Sequence, residues 1–530
     1  MQQAVQLMPG AVQGAIVELQ RILGAANVIT DRAELEFHSH DVYRSGQLPA
    51  ALIRPGSTAE LASALAAIAP AALPIVPRGG GMSYTDGYLP SRANSIMVDM
   101  LRMNRVRVID AEDLYVTVEC GTTWKELFDA LAPHGVRTPY WGPLSGLRST
   151  IGGALSQGSI FLGSARYGAA ADTVTGLDVV LADGRVLELG SHSIKNGEPF
   201  MRQHGPDTLG MFLSDCGALG VKACATLRLV RQQPESRYLS FSFKRHDELF
   251  AAMAEVARAD VVSEQFGFDP GLQAVRMKRS SLREDAKALG NVVAGQGSLL
   301  KGLKEGAKVV LAGRGFLEEG TFSVHLSLDG RDAVDADAKA AIVRRIMGEK
   351  GAEVENTVPK VMRANPFAEL NSMLGPGGER WVPVHGSMPF SKAVTVYEAC
   401  EAVFARHAET MKKFDIDRGY LCCTVGQSGT LLEPVLYWPE SRAVFHDRVL
   451  DASYLAKLQK YPPNPAASAA VAQLRVELAD VFCDQGAVSF QLGKFYPYQR
   501  GLAASAAGLL GELKRALDPK GVMNPGALGL

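Results

Sequence analysis

The sequence has no excess of charge of either sign: 55 Lys and Arg stand against 56 Asp and Glu, a formal net charge of -1 over 530 residues. That balance leaves no electrostatic footprint for nucleic acid. Long apolar runs are missing too, so no membrane span is expected. The opening MQQAVQLMPGAVQGAIVELQ lacks a basic start, an apolar core and a small-residue cleavage site, which argues against a secretory signal and for a cytoplasmic protein. Cysteine is sparse. There are seven, none in a CxxC pair, and Cys422 and Cys423 are adjacent, which suits neither zinc nor an ordinary disulfide. Buried, reduced thiols are the reading that remains.

What is present is an ordinary globular composition, 47% hydrophobic and 21% charged. Domains usually run ~100–200 residues, so this length predicts two or three units. Ser57-x-x-Glu60 predicts a capping box opening a helix. LPIVPRGGG reads as strand then loop, and TWKELFDALAPHG as a helix closed by Gly135. GLDVVLADGRVLELG reads as a hairpin turning at Asp183-Gly184, and VKACATLRLV as a further strand. After RQQPESR longer amphipathic helices alternate with strand-like pieces, the pattern of an α+β unit with helices on an antiparallel sheet. KYPPNPAAS breaks that pattern, and the tail returns to the earlier style. The expected division is 1–232, 233–475 and 476–530.

PRGGGMSY, residues 77–84, is the densest glycine run. Consecutive glycine amides can form an anion-binding nest, or the run can be a plain turn. It is neither a GxGxxG opening a helix nor a GxxxxGK[ST] loop. A second small-residue cluster, WGPLSGLRSTIGGALSQGSIFLGSARYG, follows at 141–168, and Gly217 and Gly220 sit in a third. Together these exceed what turns need. They predict a long site for an extended ligand.

These three segments, with the tail LKRALDPKGVMNPGAL, resemble the flavin domain of the vanillyl-alcohol oxidase superfamily, the p-cresol methylhydroxylase type. The resemblance is good over about 50–230 and 485–530. In the middle it is looser, where RWVPVHGSMPF and CCTVGQSGTLLEPVLYW are similar to a phenol-oxidase cap. It implies a two-domain α+β flavoprotein with FAD as cofactor. Pro77, Arg78, Gly79, Gly80, Gly81, Met82 and Ser83 would cradle the pyrophosphate. Pro143, Leu144, Gly146, Ser149, Thr150, Gly152, Gly153 and Ser156 would cover flavin and phosphates. Gly168 would lie near the adenosine, and Gly220 and Val221 would contact the isoalloxazine or its ribityl arm by backbone.

The departures are informative. Where one branch places a flavin-linking histidine, this sequence has Met82; where another does, it has Leu431 and Leu432. FAD is therefore expected to be non-covalent, although a tyrosyl or cysteinyl link elsewhere stays open. Gln491-Leu492-Gly493 stand where the lactate-type branch has Glu-His-Gly, and GQSGTLLEP lacks its metal-binding histidines, so no metal is expected. Val488-Ser489 replace a phenolate-binding Tyr-Arg pair, and Leu144 stands near the place of an aspartate. Tyr84 matches a phenol-contacting tyrosine.

The resemblance implies oxidation of a C–OH or benzylic carbon, in either an aromatic alcohol or a 2-hydroxy acid. The alternatives are a non-redox transferase step, as in the ether-lipid synthase branch, or a flavin-free binding protein. The small-molecule oxidation needs a base. His385, Glu433, Tyr84 and Gln491 are the catalytic candidates. His385 could equally be a loop histidine bonded to backbone, and a salt-bridged structural residue is the alternative for Glu433. Arg380, His325, Tyr437, Trp438 and Lys494 are candidates for substrate contact, with surface or core placement as the alternative. The sequence leaves the electron acceptor open, and a homodimer is suggested only by the resemblance.

Overall fold

The computed structural model describes residues 9–279, 320–367 and 369–530. Part of the stretch read for a secretory signal, residues 1–8, lies outside them. Two sheets build the glycine-rich half. The smaller has four strands, ordered Val28–Ile29, Ala51–Ile53, Ile96–Asp99 and Ile75–Arg78, and its last three are parallel. The larger is antiparallel, ordered Val106–Asp110, Tyr115–Glu119, Val221–Arg228, Val174–Val180 and Val186–Gly190. Val180, Ala182, Val221 and Ala223 from the second sheet join the core of the first, beneath the Thr58–Ile68 helix.

Local rules explain most of these elements. Gly184 turns the Asp183-Gly184 hairpin at φ 85°, and Gly135 ends its helix at φ 65°. The Ser57 box is only half formed. The Ser57 hydroxyl caps the Glu60 amide at 3.1 Å, but the Glu60 carboxylate takes the Gly56 N–H at 2.7 Å instead of that of Ser57. Either arrangement satisfies one of the orphan donors of the first turn.

Val136–Arg137 and Val230–Arg231 form a short two-stranded sheet, and the largest sheet is antiparallel and eight-stranded. Its order is Ala352–Val354, Glu235–Phe243, Phe322–Gly330, Glu264–Phe268, Asp417–Val425, Gly429–Trp438 and Arg380–Pro383, with Gly386–Pro389 continuing along the Gly429–Trp438 edge. Its even-numbered Leu432, Leu436 and Trp438 enter a core shared with the helices Ala393–Arg406 and Pro465–Asp484. Its odd-numbered Leu431, Val435 and Tyr437 enter another, with Phe161 and Phe490. KYPPNPAAS does break the chain, but Asn464 caps a helix there and Pro465 sits in its first turn, where no N–H is needed. Position 475 falls inside that helix.

The tail is stitched to the strand that precedes the glycine loop. Ile75 N–H donates to the Val522 carbonyl at 2.8 Å, and Asn524 N–H donates to that of Ile75 at 2.7 Å. Asn524 Nδ2 then spans to the Gly87 and Cys216 carbonyls, 2.7 and 2.6 Å away. Ile75, which feeds the loop, is thus held by the tail through both its N–H and its carbonyl.

Candidate active site

The three glycine-rich segments converge on one cleft with about 890 Å³ of empty space. Its lining takes in Pro77 through Ser83, Pro143, Ser149, Thr150, Gly152, Gly153, Ser156, Gly220 and Val221. Three expected residues lie outside it. Leu144 does not reach the lining, Gly146 packs against Phe367, and Gly168 closes a turn over Asp172. The second of these is a close approach: a Cβ on Gly146 would collide with the Phe367 ring. Sequence reading missed Tyr88, Cys120, Gln157, Cys216 and Lys222 on the walls. Gln157, Cys216 and Lys222 lie in or beside the glycine-rich segments, whereas nothing in the local pattern marks Tyr88 or Cys120.

The cleft fits an extended diphosphate. A Cβ on Gly80 would fall on the Arg148 carbonyl, so this backbone has been brought as close as a bare amide allows. Arg78 is buried beside it, with Nε and one Nη unpaired and the guanidinium over the Phe37 and Tyr88 rings. Burying an unpaired guanidinium is costly, and a phosphate would relieve it. Arg148 donates to the Gly80 carbonyl at 3.2 Å. Burial, reinforced by Arg78, makes it a weaker base than usual, as expected of two cations awaiting one anion. Opposite, Lys222 and Asp215 form a buried ion pair at 2.5 Å.

At one end of the cleft stands a second group of side chains. Tyr84 follows the loop directly, and its hydroxyl accepts from Gln491 Nε2 at 3.3 Å; Gln491 also lines the cleft. The Tyr84 ring meets Trp381 and His385 edge-on, at 5.5 and 5.9 Å between centroids. His385 is fully buried and stacks on Phe490 at 3.8 Å. Its backbone N–H donates to the Tyr496 hydroxyl at 2.8 Å, and that hydroxyl also lies 3.2 Å from Nδ1, while Nε2 has no partner. Burial holds its pKa down at about 3, so the ring is neutral. The register pairing Pro383 with Val435 and Gly386 with Leu432 sets His385 opposite Glu433. Burial pushes Glu433 up to about 8 and holds the Tyr84 and Tyr496 phenols well above their ordinary value. All four catalytic candidates are therefore gathered in one aromatic-walled group. Trp381, Phe490 and Tyr496, which sequence reading passed over, supply its walls.

The substrate-contact candidates divide. Tyr437 shares the Glu433 face, four residues along, or ~13 Å at ~3.4 Å per residue. Trp438, next in sequence, points to the other face and donates from Nε1 to Ser468 Oγ at 3.0 Å. Arg380 pairs with Trp438 in register and so shares that far face, where it donates to the Tyr43 and Ser441 carbonyls. Lys494 gives its ammonium to the Leu89 carbonyl at 2.6 Å, and burial lowers its pKa to about 8. His325 is buried rather than solvent-facing: Ser240 and Ser323 hydroxyls hold its two nitrogens at 2.9 and 3.1 Å. It lies on the Glu433 face but three strands away. Among the described residues no group of three or more His, Cys, Asp or Glu is placed to hold a metal ion, and no helix is long and apolar enough to cross a membrane.

Comparison with known proteins agrees with this geometry. Residues 49–190 match the family model of the FAD binding domain. The chain is 28% identical to the glycolate oxidase subunit GlcD of Bacillus subtilis over 47% of its length and 52% of that protein's. It is 27% identical to D-lactate dehydrogenase of Archaeoglobus fulgidus over 42% of its length and 50% of that protein's. The chain thus spans about half the length of the curated relatives it matches. The crystal structure of p-cresol methylhydroxylase with substrate bound superposes with a TM-score of 0.75 at 17% identity, covering 99% of this chain and 98% of that one. The fold is therefore shared over nearly all of both chains, and residues 49–190 are an FAD binding domain.

Proposed function

We propose that this chain is an FAD-dependent dehydrogenase or oxidase acting on a C–OH or benzylic carbon, with an aromatic or phenolic alcohol as substrate. The cofactor, when bound, supplies the hydride acceptor. The observation that carries the choice of substrate is the charge of the Tyr84–His385–Glu433 group. Its phenols and imidazole are neutral near pH 7, and its carboxyl keeps its proton up to about pH 8. A 2-hydroxy acid needs a cation for its carboxylate. The two cations that the sequence suggests for that role are engaged elsewhere: Arg380 on the far face of the sheet and Lys494 on Leu89. Arg475, the nearby arginine, is turned to the Tyr84 backbone carbonyl.

In this reading Tyr84 and Tyr496 offer hydroxyls to a substrate oxygen, and Trp381 and Phe490 hold an aromatic ring. Glu433, once ionised, takes the hydroxyl proton as hydride leaves the carbon. The unpartnered His385 Nε2 is available to orient the same oxygen. Arg78 and the Gly79–Gly81 amides would hold the pyrophosphate of the cofactor, without a covalent bond to it. Met82 carries no nucleophile for such a bond. Burial keeps the two thiols on the cleft wall protonated, Cys216 with a pKa of about 12 and Cys120 well above its ordinary value.

An anaerobic screen of flavin bleaching tests the reading. Phenolic and benzylic alcohols should bleach the FAD-loaded protein faster than D- or L-2-hydroxy acids. Faster bleaching by a hydroxy acid would refute the substrate class while keeping the oxidoreductase. Bleaching by neither would refute the redox chemistry and leave the non-redox transferase alternative.

A further inference from the structure

A second hollow, with about 820 Å³ of empty space, lies apart from the cleft and shares no lining residue with it. Tyr43, Trp438 and Phe495 wall it, with Arg380, and with Ala472 and Arg475 from the Pro465–Asp484 helix. Trp438 and Arg380 put it on the sheet face turned away from Glu433.

Two of its walls are cations without an ion-pair partner. Arg475 is 2% exposed and Arg380 7%. Arg475 lies between the Tyr43 and Phe495 rings, 3.9 and 4.1 Å from their centroids, and donates to the Tyr84 carbonyl at 2.8 Å. Arg380 lies over Trp438 and donates only to carbonyls, those of Tyr43 and Ser441. Neither forms an ion pair among the described residues, and the Nε–H of each is buried without an acceptor. The other charges on the lining offset them only in part. Arg44 pairs with Asp86, and the Glu440 carboxylate, held by Ser441, Ser468 and the Asn464 amide, acts on Arg380 at a distance without pairing with it.

The rest of the molecule shows what buried arginines have when they are structural. Arg137 and Arg363 both reach Asp329, at 3.1 and 2.8 Å, and Arg363 also reaches Glu264 at 2.9 Å. A buried guanidinium lacking such a partner carries an unrecovered desolvation cost, and two in one hollow call for an anion. His446 and His40 are held neutral, by burial first and by Arg380 second, so they add no positive charge.

We infer that this hollow binds a small organic anion. Its carboxylate or phosphate head meets the Arg380 and Arg475 guanidinium groups, and its flat apolar body lies among Tyr43, Trp438 and Phe495. Arginine's planar fork accepts either head, and the three rings select against a bare inorganic ion. The site stands apart from the proposed oxidation, because neither Arg380 nor Arg475 is given a part in the proton or hydride transfer there.

Calorimetric titration of the FAD-loaded protein with phenylacetate, phenyl phosphate and uncharged phenylacetamide tests it. At least one anion should bind saturably at one site, about tenfold or more tighter than the amide, a difference of ~1.4 kcal/mol or more. The tighter of the two anions identifies the head group. Arg475→Gln should weaken that anion by a similar factor. Ala472→Trp changes an exposed position on the hollow's wall, so it should fold, and it should weaken binding by filling the space. Absence of anion binding at millimolar concentration overturns the inference. So does equal binding of the amide, or binding that Ala472→Trp leaves unchanged.

Discussion

His385 stands opposite Glu433 across adjacent strands, and burial drives their proton affinities in directions that leave both neutral: the imidazole falls to about 3 and the carboxyl rises to about 8. The pair is therefore not an ion pair at pH 7. One proton is available on Glu433, and it leaves only on the alkaline side. The sheet thus presents a weakly acidic carboxyl and an unpartnered imidazole nitrogen together, beside two phenols.

The first prediction concerns Glu433. If it takes the substrate proton, flavin reduction by substrate should rise as pH climbs through about 8 and then level. Glu433→Gln should lower that rate by ~10²–10⁴-fold and abolish the rise. Stability should move the other way. The folded carboxyl binds its proton more tightly than an unfolded one, whose pKa is ~4.3. Its contribution is complete below that value and is lost as pH rises through about 8. Wild-type Tm should therefore fall between about pH 6 and pH 9 by more than that of Glu433→Gln. An unchanged pH–rate profile in the variant would remove Glu433 from the proton transfer.

Arg78 predicts two effects of opposite sign. Its guanidinium is buried with two unpaired nitrogens, so it burdens the cofactor-free protein and, on the proposed reading, would bind a phosphate in the loaded one. Arg78→Met should raise the Tm of the flavin-free protein. It should also weaken FAD by ~10–100-fold, the worth of a charge-assisted hydrogen bond of ~1.5–3 kcal/mol. Fluorescence titration of FAD and a melt of the flavin-free protein measure the two halves. A loss of Tm together with unchanged FAD affinity would make Arg78 a structural residue only.

These contrasts show what the sequence carried. The glycine loop was legible because its signal is local: an apolar strand, three residues without Cβ, and another strand. His385 and Glu433 were legible through segments that resemble a cap. The face each residue takes was not. Tyr437 and Trp438 are adjacent and both aromatic, yet they enter different cores, and only the pairing of residues 380–389 with 429–438 decides which. The engagement of Arg380 and Lys494 was hidden for a related reason. Their partners, the Tyr43 and Leu89 carbonyls, lie 337 and 405 residues away, beyond any local pattern. Tyr496 and Phe490 lie in the segment that also holds Gln491, and nothing in their spacing tells a site aromatic from a core one.

A third prediction follows from the buried network around Arg363. This guanidinium meets Glu264 and Asp329 at 2.9 and 2.8 Å and lies over the Trp141 ring, while Trp141 Nε1 donates to Glu264. Arg137, on the strand paired with Val230–Arg231, reaches Asp329 as well. The network thereby fastens the glycine-rich half to the eight-stranded sheet. Arg363→Met leaves two buried carboxylates with one cation, which should cost ~3–5 kcal/mol in chemical denaturation. Arg363→Lys keeps the charge but loses the fork, so its cost should be smaller. Equal losses in the two variants would show that packing on Trp141, and not charge, holds the junction.

The last prediction is read by eye. Met82 lines the cleft at the end of the glycine loop, with its side chain packed on the core that contains Tyr84 and Leu432. A thioether there cannot make the bond to flavin that a histidine makes. The cleft thiols of Cys120 and Cys216 are protonated, and the Tyr88 phenol is likewise pushed up by burial, so each is a poor nucleophile as it stands. Purified yellow protein precipitated with acid should therefore release its flavin to the supernatant and leave a colourless pellet. Charge-neutral backbone amides and Arg78 would then hold the cofactor, and high salt should speed its loss by screening the arginine–phosphate contact. A pellet that stays yellow after washing, with the flavin mass found on a tryptic peptide, would establish a covalent link. The peptide carrying it would tell whether Cys120, Cys216 or Tyr88 had been activated.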